Sequence, residues 1–97
     1  MTFLLHDTAS RLSRSDRAYA ESKLTKLAKF LPGLRRVHFV HTEDKLDHQA
    51  ELHIQADGVA LRVCAKARDI RSAIDRAVER ASGKLRKVRG KVLSRNH

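Results

Sequence analysis

The sequence predicts an α+β fold, a two-layer β-α-β-β-β-α sandwich in which a four-stranded sheet carries two helices packed on one face. Three observations predict it. Apolar residues recur at helical spacing between residues 15 and 31, alternate strictly between 35 and 66, and return to helical spacing from residue 70. Asp57-Gly58 separates two of the alternating runs, and Asp-Gly in a two-residue loop is the strongest short hairpin signal. Three half-apolar strands leave one sheet face to be covered, and two amphipathic helices are available to cover it.

Each element follows from its residues. "TFLL" at 2–5 supplies a short first strand, followed by a loop containing Asp7, Thr8 and Ser10. The spacing predicts a helix over 15–31, with Ala20, Leu24, Leu27 and Leu31 on one face and Phe30 at its edge. Ser13 or Ser15 can cap its start, and Pro32-Gly33 ends it. In "RRVHFVH" (35–41) Val37, Phe39 and His41 alternate with Arg36, His38 and Val40. In "HQAELHIQA" (48–56) Ala50, Leu52, Ile54 and Ala56 share one face, and in "VALRVCAK" (59–66) Val59, Leu61, Val63 and Ala65 do so. The solvated face then carries His38, Gln49, Glu51, His53, Gln55, Arg62 and Lys66. Asp69 caps a second helix running to about Val92, with Ile70, Ile74, Ala77, Val78, Ala81, Leu85, Val88 and Val92 as its apolar stripe. Gly83 and Gly90 each cost that helix about 1 kcal/mol. A right-handed crossover through the first helix makes the first two strands parallel.

Composition narrows the function. Ninety-seven residues, 41% of them apolar, suit one domain spanning 1–97 with a modest core. No apolar run approaches the roughly 20 residues that span a bilayer, and the first residues lack the basic n-region and long h-region of a signal peptide. The single cysteine, Cys64, permits no internal disulfide, which fits a reducing, cytoplasmic location. The net charge is +10, and its placement says more than its size. Residues 1–61 carry nine basic and eight acidic side chains, whereas residues 62–97 carry twelve and three. Charge packed into one third of a chain points to a polyanionic partner.

The basic residues of the last helix are ordered. Arg76, Arg80, Lys84, Lys87 and Lys91 fall within about 80° of one another on a helical wheel, flanking the apolar stripe, with no acid among them. Asp75 and Glu79 lie on the other flank, beside Arg86. Spacings of three and four residues place the cations about 5–6 Å apart, close to the phosphate spacing of a nucleic-acid strand. The competing reading is a solvated basic surface. Only Phe3, Tyr19, Phe30 and Phe39 are aromatic, and three of these four read as buried. Stacking on unpaired bases needs exposed rings, so the stripe suits phosphates and the shape of structured RNA.

The other constellations are weaker. His38 and His53 are potential neighbours on the solvated face, and His41 lies on the other. No pair has i,i+4 spacing on a helix, and no Cys or carboxylate completes a ligand set, so no metal site is expected. Cys64 near a histidine could form a nucleophilic dyad, but its neighbours read as an open polar sheet and not as a pocket. There is no phosphate-cradling glycine loop and no paired-carboxylate motif. The expectation is a protein that is not an enzyme, with no cofactor and no small-molecule substrate.

From Leu12 onward the chain resembles the short ribosome hibernation promoting factors and ribosome-associated inhibitors of bacteria. The resemblance rests on "YAESKLTKLAKFLPGLRRVHFV", the Lys45 loop, "AELHIQADGVALRVCAKARDIRSAIDRAVER" and the lysine-rich tail of the last helix. Asp69-Ile70 followed by Ser72-Ala73-Ile74-Asp75 is similar to the family's most recognisable stretch. The resemblance implies a cytoplasmic RNA-binding protein on the small ribosomal subunit. There it would occupy the channel for messenger and transfer RNA and silence idle ribosomes. By position, Lys23, Lys26, Lys45, Arg80, Lys87, Arg89 and Lys91 match in charge the residues that such proteins place against ribosomal RNA. Arg76 and Lys84 join them from the wheel. Lys66 and Arg71 are departures that make the surface more basic: an acid and a tyrosine are usual there. Asp16 stands where a buried leucine is typical, and the Gly-Asn turn usual near the start is missing. The long members add a C-terminal dimerisation domain. This chain resembles the short kind, expected to be a monomer off the ribosome. Two alternatives remain: a generic structured-RNA-binding module acting away from the decoding channel, and a basic amphipathic helix docking on anionic membrane or a partner protein.

Overall fold

The computed structural model describes residues 2–8, 12–29 and 33–95, with the side chains of the last helix described as far as Lys87. The element order is β1 (Thr2–Asp7), α1 (Arg14–Ala28), β2 (Leu34–Asp44), β3 (Asp47–Ala56), β4 (Val59–Ala67) and α2 (Ile70–Arg95). The four strands form one sheet in the order β1-β2-β3-β4. β1 runs parallel to β2, with Phe3 beside Val37 and Asp7 beside His41. The β2–β3 and β3–β4 pairs are antiparallel. The fold class expected from the periodicities is the one observed.

Alternation decides which side chains meet. Val37 and Phe39 of β2, Ala50, Leu52 and Ile54 of β3, and Val63, Ala65 and Ala67 of β4 all point to the buried face. Ala20, Leu24 and Leu27 of α1 and Ala73, Ile74, Ala77, Ala81 and Leu85 of α2 close over them. Burying each leucine, isoleucine or phenylalanine contributes about 1.5–3 kcal/mol. The alanines at 73, 77 and 81 form a smooth ridge that lets α2 lie low on β3 and β4, with α1 alongside it.

The turns are built locally. Gly58 takes φ +72° in the predicted Asp57-Gly58 hairpin. Gly33 packs so close to Asp57 that a β-carbon there would lie 3.0 Å from its carboxylate, while Asp57 N–H donates to Gly33 O. A second two-residue hairpin, Lys45-Leu46, closes β2 onto β3. Here Lys45 takes φ +59°, a left-handed conformation that costs a residue with a β-carbon about 1–2 kcal/mol.

The boundaries differ from expectation at both helices. Ser13 is the cap of α1, and Asp16 reaches back to the Ser13 N–H in a capping box. The helix closes at Ala28 and not Leu31, because Lys29 N–H turns to Lys26 O in a tighter i to i−3 bond. Phe30 and Leu31, predicted for its last turn, lie outside the described residues. Asp69 starts α2 as expected, accepting from Ser72 N–H and Oγ at 2.8 Å each. α2 then passes Gly83 and Gly90 to Arg95, one turn beyond the predicted end. Lone glycines cost a helix too little to stop it. β1 extends past the predicted TFLL to Asp7 because its partner β2 is long enough to pair with it.

A β-carbon added at Gly83 would meet nothing within 4 Å. Gly83→Ala is therefore expected to raise unfolding stability by roughly 0.5–1 kcal/mol, measured by urea denaturation against the parent protein.

Candidate nucleic-acid interface

The predicted stripe exists, and it runs along the seam between α2 and the outer edge of β4. Alternate residues of an edge strand turn their carbonyls away from the sheet. Arg76 Nη1 donates to Lys66 O at 2.9 Å, Arg80 Nη1 donates to Cys64 O, and Lys84 Nζ donates to Arg62 O at 3.4 Å. Three cations spaced four residues apart on the helix thus meet three carbonyls spaced two apart on the strand. Arg80 stays exposed, as a stripe residue should, while its guanidinium also bonds the strand edge. The low seat of α2 brings its flank within reach of β4, and long arginine and lysine side chains span that distance.

Beyond this row lies a hollow between α2 and β4. Arg62, Arg80, Lys84 and Lys87 line it, with Gly83 among them and no acid. Arg62 arrives from the sheet, a contribution the helical wheel alone could not show. Its Nε lies 2.6 Å from Glu51, which His53 Nε2 also contacts at 2.6 Å.

The remaining predicted residues are placed elsewhere. Lys23 stands 3.7 Å from Asp75 and over the Tyr19 ring, on the flank of α2 opposite the stripe. α1 therefore does not bring Lys23 and Lys26 beside the α2 cations. Lys45 sits at the β2–β3 hairpin tip next to Leu46, which is 75% exposed. Lys66 pairs with Asp44 at 3.1 Å. Among the described residues Lys26, Lys45 and Lys87 carry no ion pair. Arg89 and Lys91 belong to α2, and their side chains lie outside the described residues.

Arg71 is half-exposed but held against the protein by contacts with α1. It stacks on Tyr19 with its guanidinium carbon 4.7 Å from the ring centroid, donates to Ser15 Oγ at 2.7 Å, and lies 3.4 Å from Asp16. Asp16 and Arg71 are two of the positions where the sequence departs from its resemblance, and they meet each other. Tyr19 Oη also donates to Asp75 at 2.6 Å. With Tyr19 covered, Phe39 buried and Phe3 packed on the core, no described phenylalanine or tyrosine offers a stacking platform.

These contacts set the protonation of the carboxyls. Burial pushes Asp16 up, but hydrogen bonds from Ser13 and the charge and hydrogen bond of Arg71 more than offset it, leaving Asp16 below its ordinary value. Burial of Glu51 is likewise outweighed by His53 and Arg62. Hydrogen bonds from Ser72 lower Asp69. The hydrogen bond to Asp75 raises Tyr19.

One constellation was not legible from spacing. The expectation that no carboxylate completes a histidine set is overturned at the far end of the sheet, where Asp7, His41, Glu43 and His48 converge. The register that assembles them comes from two strand pairings. A two-residue hairpin at 45–46 sets Glu43 opposite His48, and that hairpin was the available signal.

Among known proteins, a family model described as Sigma 54 modulation protein / S30EA ribosomal protein matches residues 10–93. No curated protein matches. Solved structures are similar too, and two of them serve as examples. The first is a ribosomal subunit interface protein from Coxiella burnetii, with TM-score 0.84 and 16% identity, covering 93% of this chain and 99% of the other. The second is the N-terminal domain of Thermus thermophilus Protein Y, with TM-score 0.82 and 26% identity, covering 91% and 99%.

Replacing Arg76 and Arg80 together by alanine is expected to uncover the β4 carbonyls and cost roughly 1–2 kcal/mol in urea unfolding, whereas Lys87→Ala leaves stability unchanged. Carboxyls held below their ordinary values bind fewer protons folded than unfolded, so their contribution is complete at neutral pH and withdrawn on acidification. Unfolding stability should therefore decline as pH falls from above 4.5 to below 3.8, the ordinary values of Glu51 and Asp16, and Glu51→Gln should flatten the upper part of that decline.

Proposed function

This chain belongs to the Sigma 54 modulation protein / S30EA ribosomal protein family, and on that footing we propose that it is a non-enzymatic, cytoplasmic hibernation factor. In this reading one domain docks on ribosomal RNA of the small subunit, in the channel of messenger and transfer RNA, and keeps idle ribosomes silent. The observation that carries the proposal is the acid-free cationic hollow formed by Arg62, Arg80, Lys84 and Lys87. A row of cations about 5–6 Å apart, backed by a rigid sheet edge, presents fixed charges to successive phosphates. Fixed charges lose less side-chain entropy on binding than free ones do. Gly83 within the hollow leaves room for a backbone to approach.

Three further features support the reading. No described phenylalanine or tyrosine is presented for base stacking, which favours recognition of RNA shape over sequence. The hairpin tip holds Lys45 in a strained conformation beside an exposed leucine, and strain kept at a tip is commonly strain put to use. The apolar stripe of α2 is committed to the core through Leu85, which disfavours a helix that detaches to lie on a membrane. Lys23 and Lys26 form a second, separate basic front on α1. By wheel angle Lys91 continues the spacing of the stripe along α2, while Arg89 joins the reading only through the family resemblance.

Sedimentation of the protein with purified small subunits at increasing salt tests the proposal. Co-migration that weakens steeply with salt and is displaced by initiator transfer RNA is expected. Lys84→Glu with Lys87→Glu should weaken binding and reduce the salt slope by about one for each phosphate no longer neutralised. A protein that shifts duplex RNA yet stays at the top of the gradient would instead be a generic structured-RNA-binding module.

A further inference from the structure

From Asp7, His41, Glu43 and His48 we infer a binding site for a single borderline divalent cation of the zinc type, at the end of the sheet where β1, β2 and β3 meet. The inference is independent of the ribosomal reading. His41 is fully buried, and both of its ring nitrogens are engaged. Its Nδ1 donates to Asp7 Oδ1 at 2.7 Å, and its Nε2 lies 2.9 Å from His48 Nδ1. Asp7 is itself fixed, since its Oδ2 accepts the Leu12 N–H at 2.7 Å. Glu43 Oε1 is 3.8 Å from His48 Nδ1. The ligand atoms of His41, Glu43 and His48 all lie within 4.8 Å of one another.

The chemistry selects the ion. A carboxylate that holds Nδ1–H of a histidine leaves Nε2 as a lone pair of fixed direction, the outer-shell arrangement of zinc-binding histidines. His48 Nδ1 and a Glu43 oxygen supply two further donors, giving two imidazoles and one carboxylate with a fourth position for water. Tetrahedral ligation with Zn–N near 2.0–2.1 Å sets two nitrogens about 3.3 Å apart, so the pair at 2.9 Å opens slightly and the contact at 3.8 Å closes slightly. The side chains of His48 and Glu43 are 26% and 24% exposed and can make that adjustment, while buried His41 anchors the site. The cation takes the place of the proton shared between the two rings, and His48 changes tautomer. A surface hollow that reaches Glu43 and His48, with Lys45 and Ile70 also on its wall, gives the ion its way in. Nitrogen-rich ligation excludes magnesium and calcium and favours zinc and its first-row neighbours.

Occupancy would tie the ends of three strands together below the hairpin that carries Lys45. Because only the folded chain assembles the three ligands, the ion stabilises the fold by mass action. The test uses the untagged full chain and zinc chloride alone in a non-chelating buffer, followed by calorimetry and thermal unfolding, with cobalt(II) absorption as an independent readout. The expected result is one zinc per chain, a rise in Tm and an intense tetrahedral cobalt spectrum. His48→Ala and Glu43→Gln should each abolish stoichiometric binding, and Asp7→Asn should weaken it roughly 10–100-fold. His53→Ala, on the opposite sheet face, should leave it intact. Absence of binding to the parent chain, a pale octahedral cobalt spectrum, or binding that survives His48→Ala unchanged would overturn the inference.

Discussion

The seat of α2 on β3 and β4 is the constraint from which the rest of the molecule follows. Ala73, Ala77 and Ala81 carry almost no side chain, so the helix settles close against β3 and β4. Close packing fixes the helix rotationally, because turning it would expose Ile74 and Leu85 and bury charge. Once the rotation is fixed, one flank of α2 must overhang the β4 edge and the other must face α1. Arg76, Arg80 and Lys84 occupy the first flank, and Asp75 lies on the second, where it meets Tyr19 and Lys23.

That placement gives the cations two tasks with different energetics. Unpaired edge carbonyls invite another strand, and proteins blunt such edges with charge. Arg76, Arg80 and Lys84 do so from the neighbouring helix, without requiring a charged side chain of β4 itself. The same contacts hold the side chains in a row, so the positive potential in the adjoining hollow is fixed before any ligand arrives. Lys87 lines that hollow without an ion pair among the described residues. Arg71 shows the opposite outcome: stacked on Tyr19 and joined to Asp16 and Ser15, its charge is answered by α1 at the surface. Asp16 and Arg71 are unusual individually and make sense together, since an acid in the first turn of α1 caps that helix and pairs with the arginine across the interface.

The opposite end of the sheet is organised by a polar group in the core. His41 follows Val37 and Phe39 on the buried face, where an unpaired imidazole would be costly. Asp7 from β1 and His48 from β3 satisfy both of its nitrogens, and Thr8 binds its carbonyl twice, by N–H at 3.0 Å and Oγ1 at 2.7 Å. These bonds pin the end of β1 and the start of the connection to α1, a region where the sequence holds few apolar residues to do so. The cation site proposed above is a second use of this network, which already has a structural reason to exist.

Through periodicity and turn chemistry alone, the sequence predicts the order and type of every element and the register of the Asp57-Gly58 hairpin. It shows the segregation of positive charge in the last third of the chain, and it predicts much of the buried face, though not Leu12, Ala67 or Ala73. These are local properties: periodicity, turn chemistry and net charge act over a few residues. It also identified Arg76, Arg80, Lys84 and Lys87 as one stripe, because a helix fixes the angles between its own residues. Only the tertiary structure decided what the stripe faces. The carbonyls of Arg62, Cys64 and Lys66, the addition of Arg62 to the hollow, the separation of Lys23 and Lys26 from the stripe, the Asp16–Arg71 pair and the meeting of Asp7 with His41 and His48 all depend on how elements lie against one another. No spacing rule reaches across a helix–sheet seam or between strands joined through a helix, since such contacts are set by packing of the whole core.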